Sequence, residues 1–149
     1  MLLKTHLAIS IFFILLLINS VESKLFFIIV ALLSTYIPDI DSRYSTLGRK
    51  KINRILQWFT KHRGVIHSFT FLLLITLLLT LFFPVLALGF FLGYGLHLFA
   101  DSFTSEGIRP FYPFKKRVRG PVKTGGRFEI MFLVGFVILD LFLFFQRFF

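Results

Sequence analysis

The chain contains no cysteine, and this absence excludes disulfide bonds, thiolate zinc sites and cysteine nucleophiles. Charge is also scarce: only 16% of the residues are Asp, Glu, Lys or Arg, while 56% are hydrophobic. Such a composition argues against a water-soluble globule. The 149 residues leave room for a helix bundle and two short loops but for no separate soluble catalytic domain. We therefore interpret residues 1–149 as a single membrane-embedded domain.

The charge that is there is mostly positive and lies in two stretches. Of the 17 lysines and arginines, seven fall within residues 42–64 and seven within residues 105–128. A basic excess can bind nucleic acid, but beside apolar helices it is better explained by the positive-inside bias and by attraction to anionic headgroups. We therefore expect membrane lipids as partners, and we do not expect nucleic acid.

Five apolar segments predict an all-α fold, a polytopic membrane helix bundle of about five transmembrane segments. Their ranges are 2–18, 25–37, 65–83, 85–100 and 130–145. The first resembles a signal peptide, but no small-residue cleavage site follows it and a second apolar run begins at once. The first two segments are short for a hydrocarbon core that takes about 20 helical residues to cross. Gly89, Gly93 and Gly95 in the fourth segment predict close helix packing.

The two basic stretches flank the hairpin of segments three and four, so they share one side of the membrane. The positive-inside rule makes that side cytoplasmic. The sequence thus predicts an integral inner-membrane protein whose N-terminus and basic loops are cytoplasmic and whose C-terminus is outside. Only Lys24 and Arg147 among the 17 basic residues then lie outside.

The loops are predicted to differ in structure. Residues 47–61 carry apolar residues at helical spacing with basic residues on the other faces, which indicates a basic amphipathic interfacial helix. Its apolar residues are Ile52, Ile55, Leu56 and Phe59. An ordinary solvated connector is the alternative. Residues 107–126 hold three prolines and four glycines, and we expect an irregular basic flap there.

All four histidines and three aspartates fall at the cytoplasmic ends of these segments in this topology. They are His6, Asp39, Asp41, His62, His67, His97 and Asp101. Ionisable groups near hydrocarbon are costly and are usually paired, liganded or functional. Their common depth predicts a metal site, with the ligands His6, Asp39, His62, His67, His97 and Asp101.

Spacing supports parts of this set. His97 and Asp101 are four residues apart and share one helical face, although a lone histidine on an apolar helix is often a hydrogen-bonded core residue. Asp39 and Asp41 follow Pro38 and could approach one centre from a turn, but aspartate also favours turns for its own reasons.

The stretch His62-Arg63-Gly64-Val65-Ile66-His67-Ser68 enters the third segment. Gly64 allows a bend that could bring both histidines to one site. We predict catalytic roles for Arg63, facing an anionic substrate, and for Asp41, or an unliganded Asp39, as general base. For Arg63, snorkelling to headgroups is an equal alternative. Asp140, within the fifth segment, is assigned no chemistry.

Seven candidate ligands exceed the three or four that one catalytic zinc needs. Two ions that share a carboxylate, or one ion with a general base, would use the set better. Imidazole and carboxylate donors suit a divalent metal, zinc first, with manganese or iron as alternatives.

These residues also resemble a known family. His6, PDID at 38–41, HRGVIHS at 62–68 and GYGLHLFADSFTSEGIRPFYPF at 93–114 resemble the LexA-binding, inner-membrane-associated metal-dependent hydrolase family over nearly the whole chain. The resemblance implies a small multi-helix membrane protein with hydrolase activity.

The order of ligands is more distantly similar to the zinc-dependent phospholipase C and nuclease P1 group. That similarity implies as ligands His6, Asp39, one histidine of the 62/67 pair, His97 and Asp101, with Asp101 bridging metals. No histidine follows His97, whereas that group has further histidine and glutamate ligands downstream. One or two metals are therefore expected here, and not three.

The function predicted is hydrolysis of a phosphoester, in a lipid or membrane-linked substrate, at the cytoplasmic face. A phospholipid is the expected substrate class because the site lies at headgroup depth. Two other functions use the same residues. A metal-ion or proton transporter would use them as a relay, and a non-catalytic scaffold would recruit a partner through its basic loops.

Overall fold

The computed structural model describes residues 1–41 and 65–148, with the side chains of Ile40, Asp41 and Phe148 excepted. This part of the chain is helical and contains no strand. The five α-helices are α1 (Leu3–Leu17), α2 (Lys24–Tyr36), α3 (Phe69–Phe82), α4 (Pro84–Ser102) and α5 (Arg127–Phe148). Short 3₁₀ turns follow α1 at Ile18–Ser20 and α2 at Ile37–Asp41. The all-α class and the five apolar helices are confirmed.

Helix α3 begins four residues later than its apolar run predicts. The side chain of Ser68 accepts a hydrogen bond from the Phe71 backbone N–H, and Ser68 itself is extended, as an N-cap residue is. Residues 65–68 therefore form a turn before the helix. The predicted interfacial helix at 47–61 lies outside the described residues.

Among the described residues, three helical stretches are long and apolar enough to cross a membrane, namely Leu3–Ser20, Pro84–Ser102 and Arg127–Arg147. The other two helices are shorter, at 13 residues for α2 and 14 for α3. At 1.5 Å per residue they reach only about 20 Å, less than a hydrocarbon core of ~30 Å. Five transmembrane segments thus become three long spans and two shorter helices packed with them.

Helices α2 and α4 approach closely because α4 has glycine where it meets the backbone of α2. A Cβ atom on Gly93 would lie 1.9 Å from the Ala31 carbonyl oxygen, and one on Gly89 would lie 3.0 Å from the Phe27 oxygen. The close packing predicted for these glycines is confirmed. Because His97 is one turn beyond Gly93, this contact brings the site-bearing end of α4 against the end of α2.

The hairpin of α3 and α4 turns at Pro84, the first residue of α4, where the missing N–H costs nothing. A hydrophobic cluster lies where the hairpin meets the residues that precede α3. Its fully buried members are Leu72, Tyr94, Leu98 and Ile108. The Tyr94 hydroxyl donates to the Ile66 carbonyl, which ties the turn before α3 to α4.

The predicted basic flap, residues 107–126, is irregular but well connected. Isolated bridges pair Thr104 with Val122 and Ile108 with Val118. Gly107 has a φ of 62°, a conformation that favours glycine. The Phe69 N–H donates to the Pro110 carbonyl at 2.8 Å. This bond holds the flap against the start of α3, close to His67.

Helix α5 lies along α1, where the rings of Phe12 and Phe136 meet edge to face with centroids 5.5 Å apart. Arg147 donates to the Leu16 carbonyl at 3.2 Å near the other end of the two helices. Only 6% of the α5 span is buried in the protein. Most of α5 therefore faces what surrounds the protein, which for a helix this apolar is lipid.

Candidate metal centre

Four separate elements deliver histidine or aspartate to one point. His6 lies in α1, Asp39 in the 3₁₀ turn after α2, His67 in the turn before α3, and His97 and Asp101 on α4. His6, His67, His97 and Asp101 are each at most 1% exposed. Five of the six predicted metal ligands thus come together. Four of them are buried, so water does not hydrate their polar atoms.

Asp101 is at the centre of this group. Its Oδ1 atom lies 3.3 Å from His6 Nε2, and its Oδ2 atom lies 3.9 Å from the Nε2 atoms of both His67 and His97. The amino group of Met1 is also 2.5 Å from Asp101 Oδ1. Both carboxylate oxygens therefore face histidine nitrogens, as a carboxylate that bridges two ions would.

The orientation of His97 is set by its second ring nitrogen. Nδ1 lies 2.8 Å from the Thr35 carbonyl oxygen, and a carbonyl only accepts, so Nδ1 carries the proton. Nε2 is then left with a lone pair. It is fully buried and makes no hydrogen bond to any described residue, while Asp39 Oδ1 and Asp101 Oδ2 each lie 3.9 Å away. Histidines that bind metals are typically held in this way.

In the part of the chain that the structure describes, two groups of donor atoms are compact enough to hold an ion. His6, His97 and Asp101 form one and Asp39, His67 and His97 form the other, with the atoms of each within 4.8 Å of one another. Tetrahedral zinc with bonds of 2.0–2.1 Å places two ligand atoms roughly 3.3–3.4 Å apart. The 3.3 Å from His6 Nε2 to Asp101 Oδ1 matches this spacing. The 3.9 Å from His97 Nε2 to Asp39 Oδ1 is wider and would have to shorten around an ion. The donor set therefore fits one ion bound through His97, which belongs to both groups and has a single free lone pair. A second ion would be held by His67, Asp39 and Asp101.

The aspartate outside the membrane-spanning helices has a shifted pKa. Burial raises the pKa of Asp39 above its ordinary value; the charge of His6 opposes this rise and that of Asp101 adds to it. A buried carboxylate that must be charged needs a compensating cation. Asp39 is also the most open ligand, with a side chain 17% exposed against 2% for Asp101, so the entrance to the site lies on its side.

Two supporting residues were not predicted. The carbonyl of Thr35 accepts the hydrogen bond from His97 Nδ1. Its hydroxyl lies 2.9 Å from Ser10 Oγ, and this contact joins α2 to α1. The role of a backbone carbonyl cannot be predicted from the spacing of side chains, although Thr35 lies one helical turn before Asp39. Glu129 is fully buried. It accepts bonds from Leu2 N, Thr5 Oγ1 and Gly125 N at 2.5, 3.0 and 2.5 Å.

Three predicted site residues are not placed. His62 and Arg63 lie outside the described residues, as does the side chain of Asp41. Asp140 is on α5 and belongs to neither donor group.

Comparison with known proteins agrees with the membrane character of this chain. Residues 1–147 match the YdjM inner membrane protein family. The chain is 30% identical to the protein YvsG of Bacillus subtilis (strain 168) over 118 residues, which are 75% of this chain and 74% of that protein. It is 37% identical over 106 residues to the inner membrane protein YdjM of Escherichia coli (strain K12) and to that of Shigella flexneri. That match covers 62% of this chain and 52% of YdjM, about half its length. No solved structure matches this chain.

Proposed function

The chain belongs to the YdjM inner membrane protein family, and on that premise we propose that it is a membrane-embedded metal-dependent hydrolase. Its substrate is a phosphoester of a lipid or of another membrane-linked molecule, cleaved at the cytoplasmic face. The observation that carries the proposal is His97, whose Nδ1–H is bound to a carbonyl and whose bare Nε2 lies 3.9 Å from two carboxylates.

A cation explains this arrangement better than packing does. His6 and His97 are buried, and His6 Nδ1 and His97 Nε2 make no hydrogen bond to any described residue. Without a cation these nitrogens would pay the cost of lost hydration. All donors are nitrogen or oxygen, a set that suits zinc and also accepts manganese or iron. One or two ions are proposed. When bound, such an ion lowers the pKa of a coordinated water and polarises a phosphoryl oxygen.

Residues of the chain supply the remaining functions, which are to hold the metal, to accept a proton and to bind the phosphate. Asp101 and His97 hold the buried side of the site, and Thr35 keeps His97 in the tautomer whose Nε2 can bind. Asp41, or Asp39 at the open side if one of its oxygens binds no metal, would accept the proton of an attacking water. Arg63 keeps its proposed role as the phosphate-binding group.

Arg109 is a second candidate for the substrate phosphate. Its Nε atom is buried and makes no hydrogen bond to any described residue. It precedes Pro110, whose carbonyl is bound to Phe69, two residues beyond His67. A guanidinium that reaches the site from the flap would match two phosphate oxygens at once.

The proposal is tested by measuring metal content and phosphoester hydrolysis on the same purified protein. Wild type is compared with Asp101→Asn, and Asp140→Asn is the matched control because it changes an aspartate of a spanning helix outside both donor groups. The substrates are bis-p-nitrophenyl phosphate and mixed phospholipid vesicles. We expect wild type and the control to hold one or two zinc ions and to hydrolyse, and Asp101→Asn to do neither while it still folds.

Other outcomes would contradict the proposal in distinct ways. Wild type that stays metal-free after incubation with zinc, manganese or iron would remove the metal site. Metal without hydrolysis of either substrate would remove the hydrolase. Metal-driven flux into sealed vesicles, lost in Asp101→Asn, would then favour the transporter, and its absence would leave a structural ion in a scaffold.

A further inference from the structure

A cavity of about 550 Å³ lies between α1, α4 and α5 and is closed at one end by the flap. Ile9 and Phe13 line it from α1, Leu96 and Phe99 from α4, and Phe132 and Phe136 from α5. Its volume is within the range of about 300–1,000 Å³ found for ligand sites. Every lining side chain is apolar, so a polar ligand would find no hydrogen-bonding side chain inside it.

The cavity adjoins the metal centre. Ala100 lines the cavity and is followed by Asp101, and Leu96 lines it and is followed by His97. Consecutive helical residues lie about 100° apart around the axis, so α4 turns one face to the cavity and the neighbouring face to the ligands. Met1 also lines the cavity while its amino group lies 2.5 Å from Asp101 Oδ1. The cavity and the donor atoms of the metal centre therefore lie on neighbouring faces of α4, and Met1 contacts both.

The surroundings indicate where the occupant comes from. All three helices around the cavity include spans long and apolar enough for a membrane, so the molecules outside it are lipids. At its other wall, Pro121 and Val122 line the cavity from the flap. Arg119 and Lys123 lie within two residues of this pair in the sequence, and both are exposed. An apolar cavity bordered by a segment with exposed cations is complementary to an acyl chain that carries an anionic headgroup.

We propose that this cavity binds one acyl chain of an anionic phospholipid, with the phosphate held between the metal centre and the cations of the flap. This inference rests on the proposed function for the role of that lipid as substrate and deepens it by naming the substrate class. Binding of the chain itself depends only on the cavity. The orientation also gives the protein a way to present a phosphoester to Asp101 and Asp39 without lifting the lipid from the bilayer.

Photolabelling of the full-length protein tests the inference. The protein is reconstituted in phosphatidylcholine vesicles with trace phosphatidylglycerol that carries a diazirine in one acyl chain, and labelled residues are identified by mass spectrometry. Leu96→Trp fills the cavity. Leu88→Trp is the control, because Leu88 is on the same helix, is 49% exposed and does not line the cavity.

In wild type we expect labels on cavity residues such as Phe99 and Phe132. The larger indole side chain would occupy part of the space that the acyl chain needs, so Leu96→Trp should lower that labelling about tenfold, with metal content and folding unchanged. Leu88→Trp should label as wild type does. If Leu96→Trp does not fold, Leu96→Phe is measured instead, and a smaller loss confined to the same residues is expected.

The failures of the two proposals are distinguishable. Labels spread over the lipid-facing surface of α5 and unchanged by the filling variant would overturn the acyl-chain site, whatever the hydrolysis assay shows. Equal labelling by phosphatidylcholine and phosphatidylglycerol probes would overturn the preference for an anionic headgroup. Cavity labelling that persists in wild type and in Asp101→Asn, without any turnover, would support the lipid site and reject the hydrolase.

Discussion

Helices α4 and α5 are both long and apolar enough to span a membrane, yet half of the α4 span is buried in the protein and only 6% of the α5 span is. The glycines show why. Gly93 of α4 meets the backbone of α2, whereas a Cβ atom on Gly135 of α5 would meet nothing within 4 Å. Apolar length therefore identifies a span, but small residues in contact with another backbone identify the face that turns to protein.

The aspartates of the two helices differ in the same way. Asp101 on α4 has histidines of three elements around it. Asp140 on α5 is only partly buried, and its Oδ1 atom has no hydrogen-bond partner among the described residues. A carboxylate on a protein-facing helix can share a site with other ligands, and one on a lipid-facing helix has few neighbours to share with.

The largest expected effect breaks the contact of α4 with α2. Gly93→Ala places a methyl group 1.9 Å from the Ala31 carbonyl oxygen. We expect the free energy of unfolding in detergent micelles to fall by about 3 kcal/mol or more. Gly135→Ala should change stability by about 0–1 kcal/mol, in the stabilising direction, because alanine favours a helix. Circular dichroism during denaturant titration checks both. Equal stabilities would mean that α4 and α5 are packed alike.

Metal removal is expected to have the next largest effect, and this effect should differ between α4 and α5. At a free zinc concentration of 100 times its Kd, binding stabilises a folded site by about 2.7 kcal/mol. This corresponds to roughly 100-fold slower hydrogen exchange of the backbone amides that the site protects. Chelation should therefore speed hydrogen exchange near Thr35 and His97 by up to that factor. Exchange in the middle of α5 should not change. Faster exchange along α5 as well would show that the ion stabilises the whole bundle.

A smaller effect is expected where α5 does turn inward, at Glu129. Its carboxylate is buried and accepts three hydrogen bonds, and an amide would present an N–H group to one of those donors. Glu129→Gln should cost about 1–3 kcal/mol of unfolding free energy. Glu22→Gln, an exposed glutamate, should stay within about 0.5 kcal/mol of wild type. Thermal melts of both variants measure these changes. A Glu129→Gln variant as stable as wild type would show that the bonds from Leu2 and Thr5 to Glu129 do not hold α1 against α5.

The smallest effect compares two threonine hydroxyls. Thr35 Oγ1 lies 2.9 Å from both Ser10 Oγ and the Ala31 carbonyl, and it is buried. Thr80 Oγ1 bonds only to its own helix, at Thr76, on an exposed face. Thr35→Val should therefore cost about 1 kcal/mol and Thr80→Val less than about 0.5. Denaturant midpoints of both variants, measured in one micelle system, check this order. A larger loss of stability in Thr80→Val than in Thr35→Val would contradict the assignment of inner and outer faces.

Much of the fold was predictable because membrane helices follow from apolar length. The bounds of α1, α2 and α4 lie within two residues of their apolar runs, while α3 starts later because Ser68 caps it. Of the site, the pair His97 and Asp101 was predictable from a spacing of four on one helix. Asp39 was included in the predicted site because of its depth at the membrane boundary. The approach of the Thr35 carbonyl to His97 was not predicted, because it depends on how α2 packs against α4.

The sequence by itself determined that this chain is a helical membrane protein and which side chains are capable of binding a metal. Hydrophobic length and side-chain chemistry are local properties, so they can be read without a fold. Only the tertiary structure decided which of those side chains meet, that Thr35 sets the tautomer of His97, and that an apolar cavity adjoins Asp101. These depend on close contacts between backbones far apart in the chain, and such contacts exist only once the helices have packed.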